Sequence, residues 1–139
     1  MADLPQSDDS LVIRTDFTDD EVWAAVKSLI ARPTPIDGFQ AYVEFVDDRQ
    51  HDGLSVEGLL TRIPEGSNRI FTFLIDAKTI ADPEHPVLVV DLFHERGRTF
   101  RVIPSEMWNV ENNLSLANMD WEDFADNTDE DGVFRGFPE

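Results

Sequence analysis

Leu11-Val12-Ile13-Arg14-Thr15-Asp16-Phe17-Thr18-Asp19-Asp20-Glu21-Val22 carries a short apolar run straight into a helix start, and that succession decides the fold class. Leu11-Val12-Ile13 suits a buried strand. Thr18 and Glu21 have the spacing of a capping box, in which hydroxyl and carboxylate satisfy each other's backbone N–H groups. Phe17, just before that cap, is placed to reach Val22 as a hydrophobic staple. Asp19 and Asp20 fall in the first turn, where the positive end of the helix dipole favours carboxylates. Val22, Val26, Leu29 and Ile30 then recur on one helical face. Pro33 and Pro35 end the helix, because the ring removes a donor and clashes with the preceding turn.

Residues 41–46 predict a second strand, interrupted by Glu44, and residues 47–53 a polar loop. Ser55 is placed to cap a short helix holding Leu59, Leu60 and Ile63 and stopped by Pro64. Residues 70–75 form a nearly continuous apolar run, the pattern of a central strand covered on both faces. A connection with Pro83 and Pro86 follows over residues 77–86. Residues 87–93, broken by Asp91, and 99–103 read as a hairpin around a turn at 94–97. Pro104 and Ser105 mark the switch to a helix with Met107, Val110 and Leu114 on one face. Asp120 is placed to cap a last helix that turns Trp121, Phe124 and Ala125 inward. The order predicts an α/β fold: a flexible leader at residues 1–9, then one domain over residues 10–139. Its sheet is expected to be five-stranded, mixed and mostly parallel, in the order 2-1-3-4-5. Helices pack on it, and the hairpin's last strand runs antiparallel at one edge. The connection at 77–86 is short for a helical crossover, so the alternative is a fourth strand antiparallel to the third.

Composition sets the bounds. The chain has 139 residues, 41% of them hydrophobic, and a formal net charge of -18. That length suits one domain with a real core, and the apolar content is too high for a disordered chain. There is no cysteine, so disulfides and thiolate sites are excluded. The first ten residues are acidic where a secretory signal needs positive charge and an apolar stretch. No apolar run approaches a membrane span. A cytoplasmic setting is the expectation.

Between Arg101 and Arg135 there are nine acidic residues and no basic one. Ordinary surfaces intersperse both signs; a one-signed face repels nucleic acid and acidic membranes and speeds encounter with an opposite charge. The expected function is therefore a non-enzymatic acidic binding module for a basic protein partner, of inhibitor, immunity or regulatory type and without a cofactor. Trp108, Asp120, Glu122, Asp123, Asp126, Asp129, Glu130 and Asp131 would carry the contact. The blander reading is a solvated outer face with Trp121 and Phe124 docked inward.

An alternative is a magnesium-dependent phosphate-handling enzyme or receiver-like domain. Asp16, Asp47 and Asp76 follow the first three strands, and ligands of open α/β sheets bind at that edge. Clustered carboxylates there suit Mg²⁺, with Lys78 near a phosphate. A receiver would also carry a lysine after the fifth strand, where this chain has Pro104 and Ser105. Residues 127–132 imitate half of a calcium loop, but the twelfth position is Pro138 instead of a glutamate, so a solvated acidic turn is expected. His51, His85 and His94 have no partners at ligand spacing. No nucleophile elbow or glycine-rich phosphate loop is present. Arg96, Arg98 and Arg101 form a basic cluster, and one hairpin register sets Arg101 opposite Asp91. Glu111, Asn112, Asn113, Ser115 and Asn118 suggest a helix end near Asn112 or Asn113, with amides fixing the join between the last two helices.

From about Ser10 to Phe137 the chain resembles a family of small acidic proteins of high-G+C Gram-positive bacteria, a domain of unknown function. Three long, distinctive stretches carry the resemblance. They are Gly38-Phe39-Gln40-Ala41-Tyr42-Val43-Glu44-Phe45-Val46-Asp47-Asp48, Phe100-Arg101-Val102-Ile103-Pro104-Ser105-Glu106-Met107-Trp108 and Val110-Glu111-Asn112-Asn113-Leu114-Ser115-Leu116-Ala117-Asn118-Met119-Asp120. The resemblance implies a self-contained domain in a bacterial cytoplasm and supplies no catalytic residue.

Overall fold

The computed structural model describes residue 4 and residues 8–63 and 69–137. Strand β1 (Ser10–Arg14) leads to helix α1 (Asp20–Ala31), and β2 (Val43–Val46) leads to α2 (Val56–Arg62). Strand β3 (Phe71–Ile75), the short helix α3 (Ala77–Ala81), β4 (Val87–Asp91) and β5 (Thr99–Val102) follow. Helices α4 (Met107–Ser115) and α5 (Trp121–Ala125) precede a last strand, β6 (Val133–Phe134). The sheet is six-stranded in the order β2-β1-β3-β4-β5-β6.

The 2-1-3-4-5 order is as expected, with two corrections. A sixth strand exists, pairing parallel to β5 through Arg101↔Val133 and Val102↔Phe134. The reversed strand is β4, antiparallel to both neighbours, and not an edge strand. The reason is the connection at 77–86. Its five-residue helix cannot cross the sheet, so the chain turns back beside β3. From β5, the long path through α4 and α5 permits a parallel return.

Strand alternation divides the core in two. Val12, Phe73, Ile75, Val89 and Val102 face a cluster completed by Trp23, Val26 and Ile30 of α1, Met107 and Val110 of α4, and Phe124 of α5. Leu11, Ile13, Leu74 and Val90 face a second cluster with Leu59 and Ile63 on the α2 side. Helices α1 and α2 thus cover opposite faces, as crossovers of one hand require when the chain steps outward from β1 to β2 and then back past β1 to β3. All five residues of β3 are buried, in keeping with its continuous apolar run. Of the expected leader, Leu4 packs against the second cluster; residues 1–3 and 5–7 lie outside the described residues, as does Pro64.

Local capping differs at one point. Asp19, not Thr18, caps α1, accepting the Val22 N–H at 3.0 Å. Thr18 donates both its N–H and its hydroxyl to Asp16 (2.9 and 2.5 Å), and so is unavailable as a cap. Trp23, Val26 and Ile30 form the buried face, with Val22 packed partly against it. Ser55 caps α2 as expected, accepting from Gly58 at 3.0 Å. No helix among the described residues is long and apolar enough to cross a membrane.

Candidate functional site

The crevice between the carboxyl ends of β1 and β3 is where an open sheet of this order would bind a ligand. Here it is closed by the chain itself. Thr15 donates its N–H and hydroxyl to the Ile75 carbonyl (2.9 and 3.1 Å), and Gly53 donates to the Thr15 carbonyl (2.8 Å). The strand-end aspartates lie along this edge, each committed to a different neighbour. Asp16 accepts from Thr18. Asp47 accepts from the nearly buried Arg14 guanidinium at 3.2 Å and from the Trp23 indole at 3.2 Å. Asp76 accepts a two-pronged contact from Arg101 at 3.0 and 2.7 Å and caps α3 through Thr79. Burial alone would raise the Asp76 carboxyl, but Arg101 and Thr79 outweigh it and hold its pKa below the ordinary value. No group of three Asp, Glu or His residues that could hold a metal ion occurs among the described residues.

The cross-strand pairing also differs from the sequence expectation. Arg101 lies opposite Leu88 and reaches Asp76, whereas Asp91 pairs with Arg98 at 2.7 Å. Asp91 is buried and fully occupied: it also accepts the N–H groups of Phe93, His94 and Glu95. Burial pushes its pKa up, and those donors with Arg98 more than reverse the shift. This aspartate therefore builds the hairpin turn.

Three of the carboxyl-terminal acids, Glu122, Asp129 and Asp131, are held by two arginines. Arg98 contacts Asp91, Glu95 and Glu122, the last at 2.9 Å, and lies 5.1 Å from the Trp121 ring centroid. Arg135 contacts Glu84 at 2.8 Å and Asp129 and Asp131 at 2.7 Å each. The imitation calcium loop is thus organised by an internal guanidinium: the Asp129 N–H donates to the Val133 carbonyl and Gly132 to the Asp129 carbonyl. Glu84 and Asp131 have lowered pKa values, chiefly through their bonds to Arg135. Glu122 is lowered by a backbone donor and then by Arg98. Each guanidinium faces three carboxylates, so both clusters remain net negative. Asp120, Asp123, Asp126 and Glu130 are exposed, and none is in an ion pair among the described residues. Asp123 accepts the Asp120 N–H at 2.8 Å, completing the expected cap of α5.

Trp108 is placed apart from these acids. It stacks on the exposed Phe39 (centroids 4.8 Å apart). The polar segment of α4 explains this junction. The helix runs on to Ser115, past the expected end at Asn112 or Asn113. Its buried Glu111 accepts from Ser10, the Tyr42 N–H, Asn112 and Ser115, while Asn112 donates to the Gln40 carbonyl. These side chains tie α4 to the start of β1 and the entry to β2. The join to α5 is made by the Asn113 carbonyl, which accepts from Asn118 and Met119.

Two further features escaped the sequence reading. His51 is buried; its Nδ1 meets the Arg62 guanidinium and its Nε2 has no hydrogen-bond partner among the described residues. Burial first, and the Arg62 charge second, lower its pKa. Beside the acidic face lies a cleft of about 270 Å³. Ile70, Phe93, Leu114, Met119 and Trp121 form its apolar walls, with Asp91, His94 and Asp120 as its ionisable lining. The cleft draws on three distant parts of the chain, so no local pattern announces it.

These features define a mixed α/β domain with a strongly acidic flank and a small apolar cleft. The chain belongs to the family described as a domain of unknown function, DUF6924, matched over residues 9–137. A search of curated proteins found no match.

Proposed function

We propose that this chain is a non-enzymatic binding protein whose acidic carboxyl-terminal face docks a basic protein partner, as an inhibitor, immunity factor or regulator. The observation that carries the reading is the excess of carboxylates after every recorded ion pair is allowed for. Arg98 and Arg135 each serve three acids, and Asp120, Asp123, Asp126 and Glu130 stay exposed and in no ion pair among the described residues. Charges arranged in this way raise encounter rates with a cationic surface and disfavour nucleic acid. Asp120, Asp126 and Glu130 are the available contacts, and Asp123 adds to them while also closing the α5 cap. Glu122, Asp129 and Asp131 contribute through the field of their clusters. Trp108 stacks on Phe39, apart from these acids. The setting we propose is the cytoplasm of a high-G+C Gram-positive bacterium, with no cofactor. The magnesium reading draws no support from Asp16, Asp47 and Asp76, each of which is engaged by a different neighbour.

The test is capture from host lysate on immobilised protein, compared with the exposed-charge variant Asp126→Lys/Glu130→Lys. The expected partner is basic, is held at low salt, is released as the Debye length shortens and is missed by the variant. No partner at low salt, one that survives high salt unchanged, or equal capture by the variant would overturn the reading.

A further inference from the structure

The cleft and the acidic face share residues: Asp120 lines the cleft, and Trp121 forms a wall beside the Glu122–Arg98 pair. The cleft is smaller than the pockets that enclose drug-sized molecules, which run from roughly 300 Å³ upward. It suits one large apolar side chain. Phe93 is 62% exposed and Ile70 37% exposed, so large apolar groups stand open at the mouth. An exposed apolar site rimmed by polar residues is a common mark of an interaction surface.

The lining also limits the charge of the occupant. Among the described residues, no lysine or arginine lines the cleft. Asp91 is saturated by four donors, Arg98 among them, and Glu122 and Glu95 are paired with that same arginine, which leaves the exposed Asp120 to meet a cation at the rim. An anionic ligand would meet repulsion on this side. The walls are held before any partner arrives. Asp91 fixes the turn bearing Phe93, and Trp121 packs edge-on against Phe100 at 4.7 Å. A rigid cleft lowers the ordering cost of binding.

We propose that this cleft is the anchor pocket of the binding face. It takes one aromatic or leucine side chain of the partner, flanked by lysine or arginine residues, one of which meets Asp120. The proposal rests on the acidic-face reading and deepens it, assigning the apolar centre that interfaces place within a polar rim. Burial of a phenylalanine ring corresponds to a gain of at least about tenfold in affinity.

The experiment is a nuclear magnetic resonance titration of ¹⁵N-labelled protein with three short capped peptides. One has phenylalanine between pairs of lysines, the second replaces phenylalanine by serine, and the third keeps phenylalanine between pairs of glutamates. The lysine-flanked phenylalanine peptide is expected to bind about tenfold more tightly than the serine peptide. It should shift the Trp121 indole and the Phe93 and Met119 amides. Phe93→Ala, at an exposed position, should reduce that advantage to under about threefold. Equal affinity of the two lysine peptides, with shifts confined to residues 120–131, would overturn the anchor and spare the acidic face. No shift with either would overturn both. Equal binding of the glutamate-flanked peptide would overturn the cationic flank. Concentration-dependent cleft shifts in the free protein would make a second copy the occupant, which also overturns the proposal.

Discussion

Replacing Asp76 by asparagine separates a structural carboxylate from a metal-binding one. Asp76 joins three elements: it follows β3, caps α3 through Thr79 and holds Arg101 of β5 across the intervening β4. Asparagine caps a helix about as well as aspartate, so Asp76→Asn keeps the cap and removes the charge that faces Arg101. The side chains are 27% and 18% exposed. The contact therefore lies between an exposed pair, contributing about 0–1 kcal/mol, and a buried one, whose rupture costs about 3–5 kcal/mol. A loss of about 2 kcal/mol is expected, or roughly 6–10 °C in Tm for a domain of this size. The pH dependence adds a check on sign. The native Asp76 pKa is lowered, so its contribution is present above the unfolded value of about 3.9 and is lost as pH falls through the native pKa. The gap between wild type and variant should therefore close in acid. The assay is thermal melting from neutral pH down to about 3, repeated with Mg²⁺ at constant ionic strength. Wild type and variant should respond equally to Mg²⁺. A variant as stable as wild type, together with a Mg²⁺ shift specific to wild type, would refute the structural role and restore the strand-end metal reading.

Three further outcomes are expected. The native pKa of His51 is lowered by burial and by Arg62, so below about pH 6.5 the unfolded chain binds more protons there and stability falls with pH. The contribution is at most about 1.4 kcal/mol per pH unit; His51→Gln should flatten the urea-derived stability between pH 7 and 5, and an unchanged slope would contradict the assignment. Glu111→Ala strands the donors from Ser10, Tyr42, Asn112 and Ser115 and should cost about 3 kcal/mol, read as a lower urea midpoint at unchanged slope. Arg135→Gln leaves Glu84, Asp129 and Asp131 unopposed, so its melting deficit should be larger at low salt than at about 1 M NaCl, where screening is short-ranged; a salt-independent deficit would argue against the charge cluster.

The parts of the fold that were legible are those with a repeating local signal. The apolar runs of β1, β3 and β4 and the Ser55 and Asp120 caps identified their elements. The shortness of the connection at 77–86 pointed to the reversal of β4. Strand β6 has two residues, too few for any periodicity to declare. The first cap was misplaced because Thr18 and Asp19 are both good capping residues, and the choice is made by Asp16, whose carboxylate takes the Thr18 hydroxyl. At the candidate site the acids were visible and their partners were not. Glu84 and Arg135 are 51 residues apart, and Arg98 and Glu122 are 24 apart; contacts over such separations are set by the sheet that brings their elements together. The cleft and the Glu111 cluster were hidden for the same reason.

Folding sorts the acids of the carboxyl-terminal third by role. Asp129 and Asp131 order a loop around Arg135, Glu122 ties α5 to the hairpin through Arg98, and Asp123 closes the α5 cap. For these residues an approaching cation must compete with an existing donor. Asp126 and Glu130 are exposed and in no ion pair among the described residues, so a cation would meet them without that competition. Under the proposed binding role, charge reversal at Asp126 or Glu130 would weaken the partner with little effect on folding. Reversal at Asp129 or Asp131 would disturb the loop as well, and the two effects would appear together. The apolar cleft beside Asp120 then bears a separate part of the interaction, since a field of one sign governs how often a basic partner arrives, and burial of an apolar side chain governs how long it stays.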